Sequence, residues 1–238
     1  MGLMSRKGAK LAEKTMPTTL KDDRVWWDRE RKLQGICAEV IATRSAGSSV
    51  LLLAHFEGTL ANVEAALKVS AIETKRFSQF DSATLCAVSA GTVWSGLARS
   101  FQIPHARVAV EWGATRLQTS VGTPIETLRQ APLQIIIAEH HPMRSKDQQL
   151  YEAAATLTCE AQLTVHISLD DPLLTHFGVR SIQDLYRRLG IDEETALSNP
   201  LINTAIGRAQ EKIESQVPRD MPAWSIEDWF RHNLKAKM

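Results

Sequence analysis

The amino-acid sequence predicts an α/β fold with a mostly parallel sheet. Two short apolar runs, Ser49–Phe56 and Leu133–Ala138, are typical of strands that are buried on both faces. Each run is followed by a segment of good helix formers, and Leu133–Leu169 has the pattern of a strand, a helix and a second strand. Such a unit places its two strands in parallel with a right-handed crossover. We therefore expect a sheet of about five to seven strands with helices on both faces.

The N-terminal part is expected to begin with a flexible, basic lead-in over residues 1–21, which carries several Lys and Arg residues but no apolar stretch. Asp22 or Asp23 is expected to cap a helix that runs to about Thr43, because aspartate is a preferred N-cap residue. After the first apolar strand, the spacing of apolar residues predicts a helix over 58–69.

The middle of the chain has weaker signals. Glu73–Phe77 is predicted to be a short strand and Ala83–Ser89 a buried strand. Ser89–Thr92 is interpreted as an ordinary strand-to-helix turn, with an anion-binding loop as the alternative. Leu97–Phe101 is expected to form a short helix. Further short elements are predicted at 107–112, 116–118 and 123–128.

The C-terminal part is predicted to be helical after one more strand. Lys146–Leu157 has good helix formers, and Leu163–Leu169 alternates apolar and polar residues as a strand does. Asp170 and Asp171 are interpreted as caps of the next helix, since anionic side chains favour a helix N-terminus. Helices are expected near 172–177, 181–189, 198–217 and 225–234.

The predicted domain organisation has an α/β domain over 22–172 and a helical appendage over 173–238. Trp224, Trp229 and Phe230 are expected to fold back onto the α/β domain, and a partner-binding patch is the alternative.

Composition is that of an ordinary soluble domain, with 44% hydrophobic residues, 23% charged residues and a formal net charge of +1. The neutral balance argues against nucleic-acid binding. The sequence has no apolar run long enough to span a membrane, although the basic N-terminus leaves a weak peripheral contact as an alternative. The three widely spaced cysteines are expected to be buried free thiols in a reducing cytoplasm.

The segment Leu133–Leu174 resembles the second nucleotide-binding domain of SecA, the motor ATPase of bacterial preprotein translocation. The two align without a gap, and the shared residues are Glu139, His141, Arg144, Asp147, Gln149, Leu150, Ala154, Ser168, Leu169, Asp171 and Leu173. The similarity continues through His176–Ile182, Leu189–Glu193, Asn199–Ile206 and Ala209–Glu214. The resemblance implies a RecA-like sheet of the P-loop NTPase type, and a C-terminal appendage that matches the start of the SecA helical scaffold.

The same segment departs from the family where nucleotide is bound. In SecA, Gln-Leu is followed by Arg-Gly-Arg-Ala-Gly-Arg, whose arginines contact the ATP phosphates through their charged, forked donors. Here Gln149 remains, but the three arginine positions hold Tyr151, Ala153 and Thr156. No Walker A pattern occurs in the sequence. These four positions therefore form a degenerate nucleotide site in which no charged donor survives.

The leading functional hypothesis is a SecA-related protein without catalytic activity that acts through protein contacts in the cytoplasm. The resemblance implies that ATP hydrolysis needs both motor domains, so we expect none from this chain alone. The expected partner is a translocase component or a complementary motor domain, and no cofactor is expected.

A second hypothesis is a small enzyme or ligand-binding protein with a site at the carboxyl ends of the strands. Its candidate residues are His55, Glu57, His140 and His141, because open α/β sheets bind ligands at that edge. Together with Glu139, the two adjacent histidines resemble metal ligands in composition. Neighbouring residues on an extended chain point to opposite faces, however, so we expect no metal.

Overall fold

The computed structural model describes residues 18–77, 91–101, 132–157, 159–177, 183–184, 187–188, 190 and 192–234. The strands within these residues are β1 (Thr18–Leu20), β2 (Arg24–Trp26), β3 (Ser49–Ala54), β4 (Lys75–Arg76), β5 (Val93–Leu97), β6 (Leu133–Ile137) and β7 (Ala161–Ser168). The helices are α1 (Arg29–Ser45), α2 (Glu57–Val69), α3 (Arg144–Ala155), α4 (Pro172–Phe177), α5 (Pro200–Glu214) and α6 (Ile226–Asn233). A 3-10 turn covers Ala98–Phe101.

The sheet has the strand order β1-β7-β6-β3-β5-β4, and β2 also pairs with β7. Every one of these strand pairs is parallel. The central strand β3 is buried on both faces, as its unbroken apolar sequence requires. The predicted α/β fold with a mostly parallel sheet is therefore confirmed.

Helices cover both faces of the sheet, each with its own hydrophobic core. On one face, Leu51, Leu53 and Ile135 pack with Leu150 and Ala154 of α3. On the other face, the alternate sheet residues pack with the apolar sides of α1 and α2. These residues include Val50, Leu52 and Ile136 from the sheet, Ile36 and Val40 from α1, and Leu60, Val63 and Leu67 from α2.

The edge strand formed by β1 and β2 corrects the prediction for residues 1–21. Residues 1–17 lie outside the described residues, but Thr18–Leu20 pairs with β7 and so belongs to the sheet. Leu20 pairs with Leu163, and Arg24 pairs with His166. Three residues lie between the two positions on the edge strand but only two on β7, so the edge strand contains one extra residue. Such an extra residue re-aims side chains locally. Asp23, beside it, is only 5% exposed.

The start of α1 also differs from the prediction. The helix begins at Arg29 rather than after Asp22 or Asp23, because Val25 and Trp26 pair with β7 instead. Asp28 is the N-cap, and its Oδ1 accepts the Arg31 backbone N–H at 2.8 Å.

Strand β5 was not predicted, whereas the short helix predicted over Leu97–Phe101 is present as the 3-10 helix Ala98–Phe101 that follows this strand. Polar Ser95 and Gly96 mask its strand pattern in the sequence, although Val93 and Leu97 are buried. Gly96 is required here, because a Cβ at this position would lie 2.4 Å from the Phe77 ring. The predicted strand at Ala83–Ser89 and the elements predicted at 107–112, 116–118 and 123–128 lie outside the described residues.

The C-terminal helices form a third core with the end of β7. Asn199 caps α5 by accepting the Leu201 N–H at 2.8 Å, and the buried side of α5 includes Ile202, Ile206 and Ile213. Trp229 is 1% exposed and Phe230 packs beside it, which confirms that these two aromatic residues fold back.

Other predicted features of this region have mixed outcomes. Trp224 also folds back onto α2, where its carbonyl accepts the Gly58 N–H at 2.9 Å and its indole lies beside Gly58, but it stays 61% exposed. Cys37 and Cys159 are buried free thiols, as expected. Much of the helix predicted over 181–189 lies outside the described residues. Among the described helices, none combines the length and apolar character needed to cross a membrane.

Candidate functional site

The carboxyl ends of β3 and β6 meet at Glu139, which joins the two strands. Its Oε1 accepts the backbone N–H groups of His55 and Phe56 at 3.1 and 2.9 Å, and its Oε2 accepts the Thr59 hydroxyl at 2.6 Å. Burial raises the pKa of the Glu139 carboxyl. The carboxyl group is therefore occupied with holding the strand end β3 and the start of α2 in place.

His140 lies between two buried carboxylates. Its Nδ1 donates to Asp147 Oδ2 at 2.7 Å, and its Nε2 donates to Asp23 Oδ2 at 2.9 Å. The pKa of His140 is raised well above its usual value, because the attraction of the two carboxylates outweighs the cost of burial. His140 therefore carries a positive charge, with both of its ring N–H groups engaged.

Asp147 is the centre of a wider network that links the strand ends to α3 and α5. Gln210 donates through Nε2 to Asp147 Oδ2 at 2.6 Å and to the His141 carbonyl at 2.7 Å. Asp147 Oδ1 accepts the His141 backbone N–H at 3.0 Å. It also lies 2.7 Å from His55 Nε2, which is close enough for an ion pair but outside hydrogen-bond geometry. Burial raises the pKa of Asp147, but the interactions with His140 and His55 outweigh it, so the pKa is strongly lowered. We call Asp23, His55, His140, Asp147 and Gln210 the Asp147 cluster.

His141 turns away from this cluster and remains neutral. Its Nδ1 accepts the Met143 backbone N–H at 3.0 Å, so Nδ1 carries no hydrogen. Burial and the nearby His55 lower the pKa of His141 to about 3. The ring is stacked on Phe56 with centroids 5.4 Å apart, and its edge contacts Trp229 at 5.5 Å.

A cavity of about 210 Å³ lies beside these rings, at the carboxyl ends of the strands. Its wall includes the rings of His55, Phe56, Phe101, His141 and Trp229, together with aliphatic, polar and charged side chains. This is the edge at which open α/β sheets bind ligands.

Polar side chains surround one part of the cavity. Lys146 Nζ lies 3.0 Å from Asp220 Oδ2, and the Trp229 indole N–H donates to Asp220 Oδ1 at 2.8 Å. Arg99 and Gln149 also line the cavity. Arg99 is exposed and forms no ion pair with the part of the chain that the structure describes.

The structure brings together three of the four residues of the predicted strand-end site. His55 and His140 contact Asp147 through their rings and His141 through its backbone N–H, but Glu57 does not join them. Glu57 is the first residue of α2 and pairs with Arg76 of β4, so Glu57 is excluded from the site. Over the described residues there is no group of three or more His, Cys, Asp or Glu side chains that could hold a metal ion.

The four degenerate nucleotide positions lie along α3 and the residue that follows it, with different surroundings. Gln149 lines the cavity, whereas Tyr151 and Ala153 are partly buried against the core beneath α3. Thr156 is exposed, and its hydroxyl donates to the Ala153 carbonyl at 2.8 Å. None of these side chains offers a positive charge.

Two functional features were not predicted from the sequence. The first is the role of Asp23 and Asp147, which become important only when the chain folds and places both carboxylates against the His140 ring. The second is a buried ion pair in which Lys32 Nζ lies 2.9 Å from Asp171 Oδ2. Asp171 does precede α4, and its backbone carbonyl accepts the Thr175 N–H at 3.0 Å, but its carboxylate accepts the Ser168 N–H at 2.8 Å and pairs with Lys32 instead of capping the helix.

Comparison with known proteins shows a clear sequence relationship to a protein translocase subunit. An 84-residue segment is 36% identical to the protein translocase subunit SecA of Afipia carboxidovorans. The segment covers 35% of this chain and 9% of the translocase subunit, so the chain matches only a small part of that protein. A scan against protein-family models finds no match.

Two solved structures are similar in fold at low identity. The C-terminal part of the Fun30 ATPase domain superposes with a TM-score of 0.40 and 13% identity, covering 76% of this chain and 54% of that chain. The C-terminal domain of a possible DNA helicase from Lactobacillus plantarum WCFS1 gives a TM-score of 0.36 and 10% identity, covering 64% and 73%. The sequence match confirms the predicted resemblance: this chain is similar to part of SecA.

Proposed function

We propose that this chain is a SecA-related protein that does not hydrolyse ATP and acts through contacts with other proteins. One observation carries the proposal: the residues shared with SecA and the residues lost from it have different structural roles. Glu139, Asp147 and Asp171 are shared, and all three are buried in contacts that hold the strand ends together. The positions of the phosphate-binding arginines are filled by Tyr151 and other uncharged residues.

This difference separates the scaffold of the domain from its nucleotide chemistry. Arginines bind phosphate through a permanent charge and a fixed fork of donors, which Tyr, Ala and Thr side chains do not provide. A chain that keeps the buried carboxylates can keep the fold without keeping the ATP site. The same shape then remains available for contact with a translocase component or with a complementary motor domain in the cytoplasm.

The ATPase part of the proposal is tested by calorimetric titration with ATP and by phosphate release, with and without added SecA. We expect no heat of binding and no phosphate release beyond that of SecA alone. Micromolar ATP binding together with turnover by the isolated chain would contradict the proposal.

The protein-contact part is tested by affinity capture of the tagged full chain in an extract of its own host. We expect translocase components among the captured proteins. Trp224→Ser removes an indole that is 61% exposed, and Leu201→Ser is the matched control, because Leu201 is 76% exposed on α5. Capture of no translocase component by the unmodified chain would end this part of the proposal.

A second candidate function is ligand binding at the strand ends. It is favoured by the convergence of His55, His140 and His141 beside a cavity. Glu57 is no longer one of its candidate residues. His140 is fully engaged by two carboxylates and does not line the cavity. His55 and His141 do line it. The test is a thermal-shift screen with a chemically diverse set of small molecules; if none stabilises the protein, this candidate fails.

A further inference from the structure

The cavity beside His141 is bordered by two histidine ring nitrogens without a hydrogen-bond partner among the described residues: His55 Nε2, which lies against the Asp147 carboxylate, and His141 Nε2. Because the Met143 N–H donates to His141 Nδ1 and this ring is neutral, the ring hydrogen must lie on Nε2. Within the described residues, His141 Nε2 makes no hydrogen bond. The side chain is 7% exposed and forms part of the cavity wall. Nε2 is not one of the fully buried side-chain atoms that lack a partner, so it opens onto the cavity, where a ligand or water can accept from it.

The rings around this donor suit a flat apolar group. His141 is bordered by Phe56, Trp229 and His55, with ring centroids between 5.2 and 5.5 Å apart. These are the distances at which aromatic rings attract one another in stacked or edge-to-face arrangements. A cavity of roughly 150 Å³ is enough for benzene. At about 210 Å³, this cavity has space for a single ring with one substituent.

The charges at the cavity favour an anionic substituent. Two cations, Arg99 and Lys146, line the cavity together with one carboxylate, that of Asp220. The Asp220 carboxylate is already occupied by Lys146 and by the Trp229 indole N–H. Arg99 remains as a guanidinium that no carboxylate of the described residues neutralises.

The second cavity at the strand ends has no comparable feature. It measures about 320 Å³ and lies beneath Trp224, with Lys32, Glu139 and Asp171 in its wall. Those buried charges are already paired with one another or with Thr59. None of the fully buried, unpaired side-chain atoms of the described residues lies in its wall.

We propose that the cavity beside His141 binds a small monocyclic aromatic acid. The ring packs between Phe56, Phe101 and Trp229, and the carboxylate accepts the His141 Nε2–H and faces Arg99. The proposal deepens the ligand-binding candidate and does not depend on the protein-contact role.

The experiment is a calorimetric titration of the full chain with benzoate at neutral pH. We expect saturable binding of one benzoate per chain. Acetate supplies the carboxylate without the ring and is expected to bind at least about tenfold more weakly, since burial of the ring supplies most of the affinity.

Three variants test the geometry. His141→Phe keeps the ring but removes the donor, and we expect benzoate affinity to fall at least about tenfold. Ala223→Leu adds bulk at a half-buried position in the cavity wall and is expected to abolish binding. Arg99→Gln is expected to weaken binding by up to about fivefold. Arg219→Gln is the matched control, because Arg219 is exposed and does not line the cavity.

The outcomes separate clearly. Benzoate binding that is weakened by His141→Phe and abolished by Ala223→Leu supports the proposal. The absence of saturable binding at millimolar benzoate overturns it, and so does equal binding by acetate or by Ala223→Leu. If His141→Phe fails to fold, Ala223→Leu and Arg99→Gln decide. If the thermal-shift screen finds a different chemical class while benzoate does not bind, this inference fails but the ligand-binding candidate stands.

Discussion

His140 and Asp147 form the charged centre of the sheet edge, with His140 Nδ1 2.7 Å from Asp147 Oδ2 and both side chains buried. The second nitrogen of His140 reaches Asp23 on the edge strand. One imidazolium therefore holds three separate parts of the chain together: the edge strand, the end of β6 and the start of α3.

Removal of the His140 charge is predicted to destabilise the fold strongly. His140→Phe leaves two buried carboxylates without their cation, and breaking such a buried pair costs about 3–5 kcal/mol. His140→Arg keeps a positive charge and should lose less than His140→Phe. Urea unfolding measures both, with His232→Asn as the control at an exposed histidine. Equal stabilities for His140→Phe and the unmodified chain would contradict the role assigned to this residue.

The pH dependence of stability should carry the signature of His140. Its pKa in the folded state is raised above 6.5, so its contribution is fully present below that pH and is lost as the pH rises through the folded value. The loss cannot exceed about 1.4 kcal/mol per pH unit for a single group. His141 and His166 are buried and their pKa values are lowered, so their contribution to the unfolding free energy increases as the pH rises. This increase ends near pH 6.5, above which both residues are neutral in the folded and the unfolded state.

The comparison with His140→Arg isolates this effect, because arginine stays charged at every pH used. Unfolding free energies of the two proteins, measured from neutral to alkaline pH, should diverge as the imidazolium loses its proton. Parallel pH profiles for the two proteins would show that His140 does not titrate in this range.

Two glycines inside helices should respond in opposite ways to the same substitution. Gly35 lies in α1 under the Trp26 indole, and a Cβ there would lie 2.0 Å from the ring. Gly35→Ala should therefore destabilise the protein by about 1–3 kcal/mol. Gly207 in α5 has its nearest neighbour at 3.5 Å, so Gly207→Ala should stabilise by about 0.5–1 kcal/mol through helix propensity. Thermal unfolding of the pair checks both signs, and a stabilising Gly35→Ala would refute the packing argument.

The sequence predicts the scaffold better than the site, for a physical reason. The apolar run at β3 is buried on both faces in any parallel sheet, so its pattern alone identifies it. His55 and His141 could be placed at the strand ends by the same reasoning. The bulged edge strand could not be predicted, because the pairing of Arg24 with His166 depends on residues far apart in the chain. The contact of His140 with Asp23 follows from that pairing.

Charged residues were the hardest to assign from the sequence. Asp171 has the sequence features of a helix cap, and only the folded structure places Lys32 against it. Glu57 stands beside a strand end in sequence, but its position as the first residue of α2 directs it to Arg76. In both cases the local pattern permits several partners, and the tertiary packing selects one.

The Lys32–Asp171 pair should be strongly coupled. Both side chains are almost fully buried, with 4% and 6% of their surface exposed. Lys32→Met leaves the Asp171 carboxylate buried without its cation and should cost about 3–5 kcal/mol. Lys68→Met is the control, since Lys68 is exposed at the end of α2.

The double variant Lys32→Met/Asp171→Asn distinguishes the net contribution of the pair from the penalty of an orphaned charge. Asparagine removes the negative charge and still offers a carbonyl oxygen to the Ser168 N–H, so the double variant should recover about 1–3 kcal/mol of the loss. Chemical denaturation of the unmodified chain, Lys32→Met, Asp171→Asn and the double variant gives the coupling free energy directly. If the two substitutions are additive, the ion pair contributes nothing specific, and the strand end is held by Glu139 and the Asp147 cluster instead.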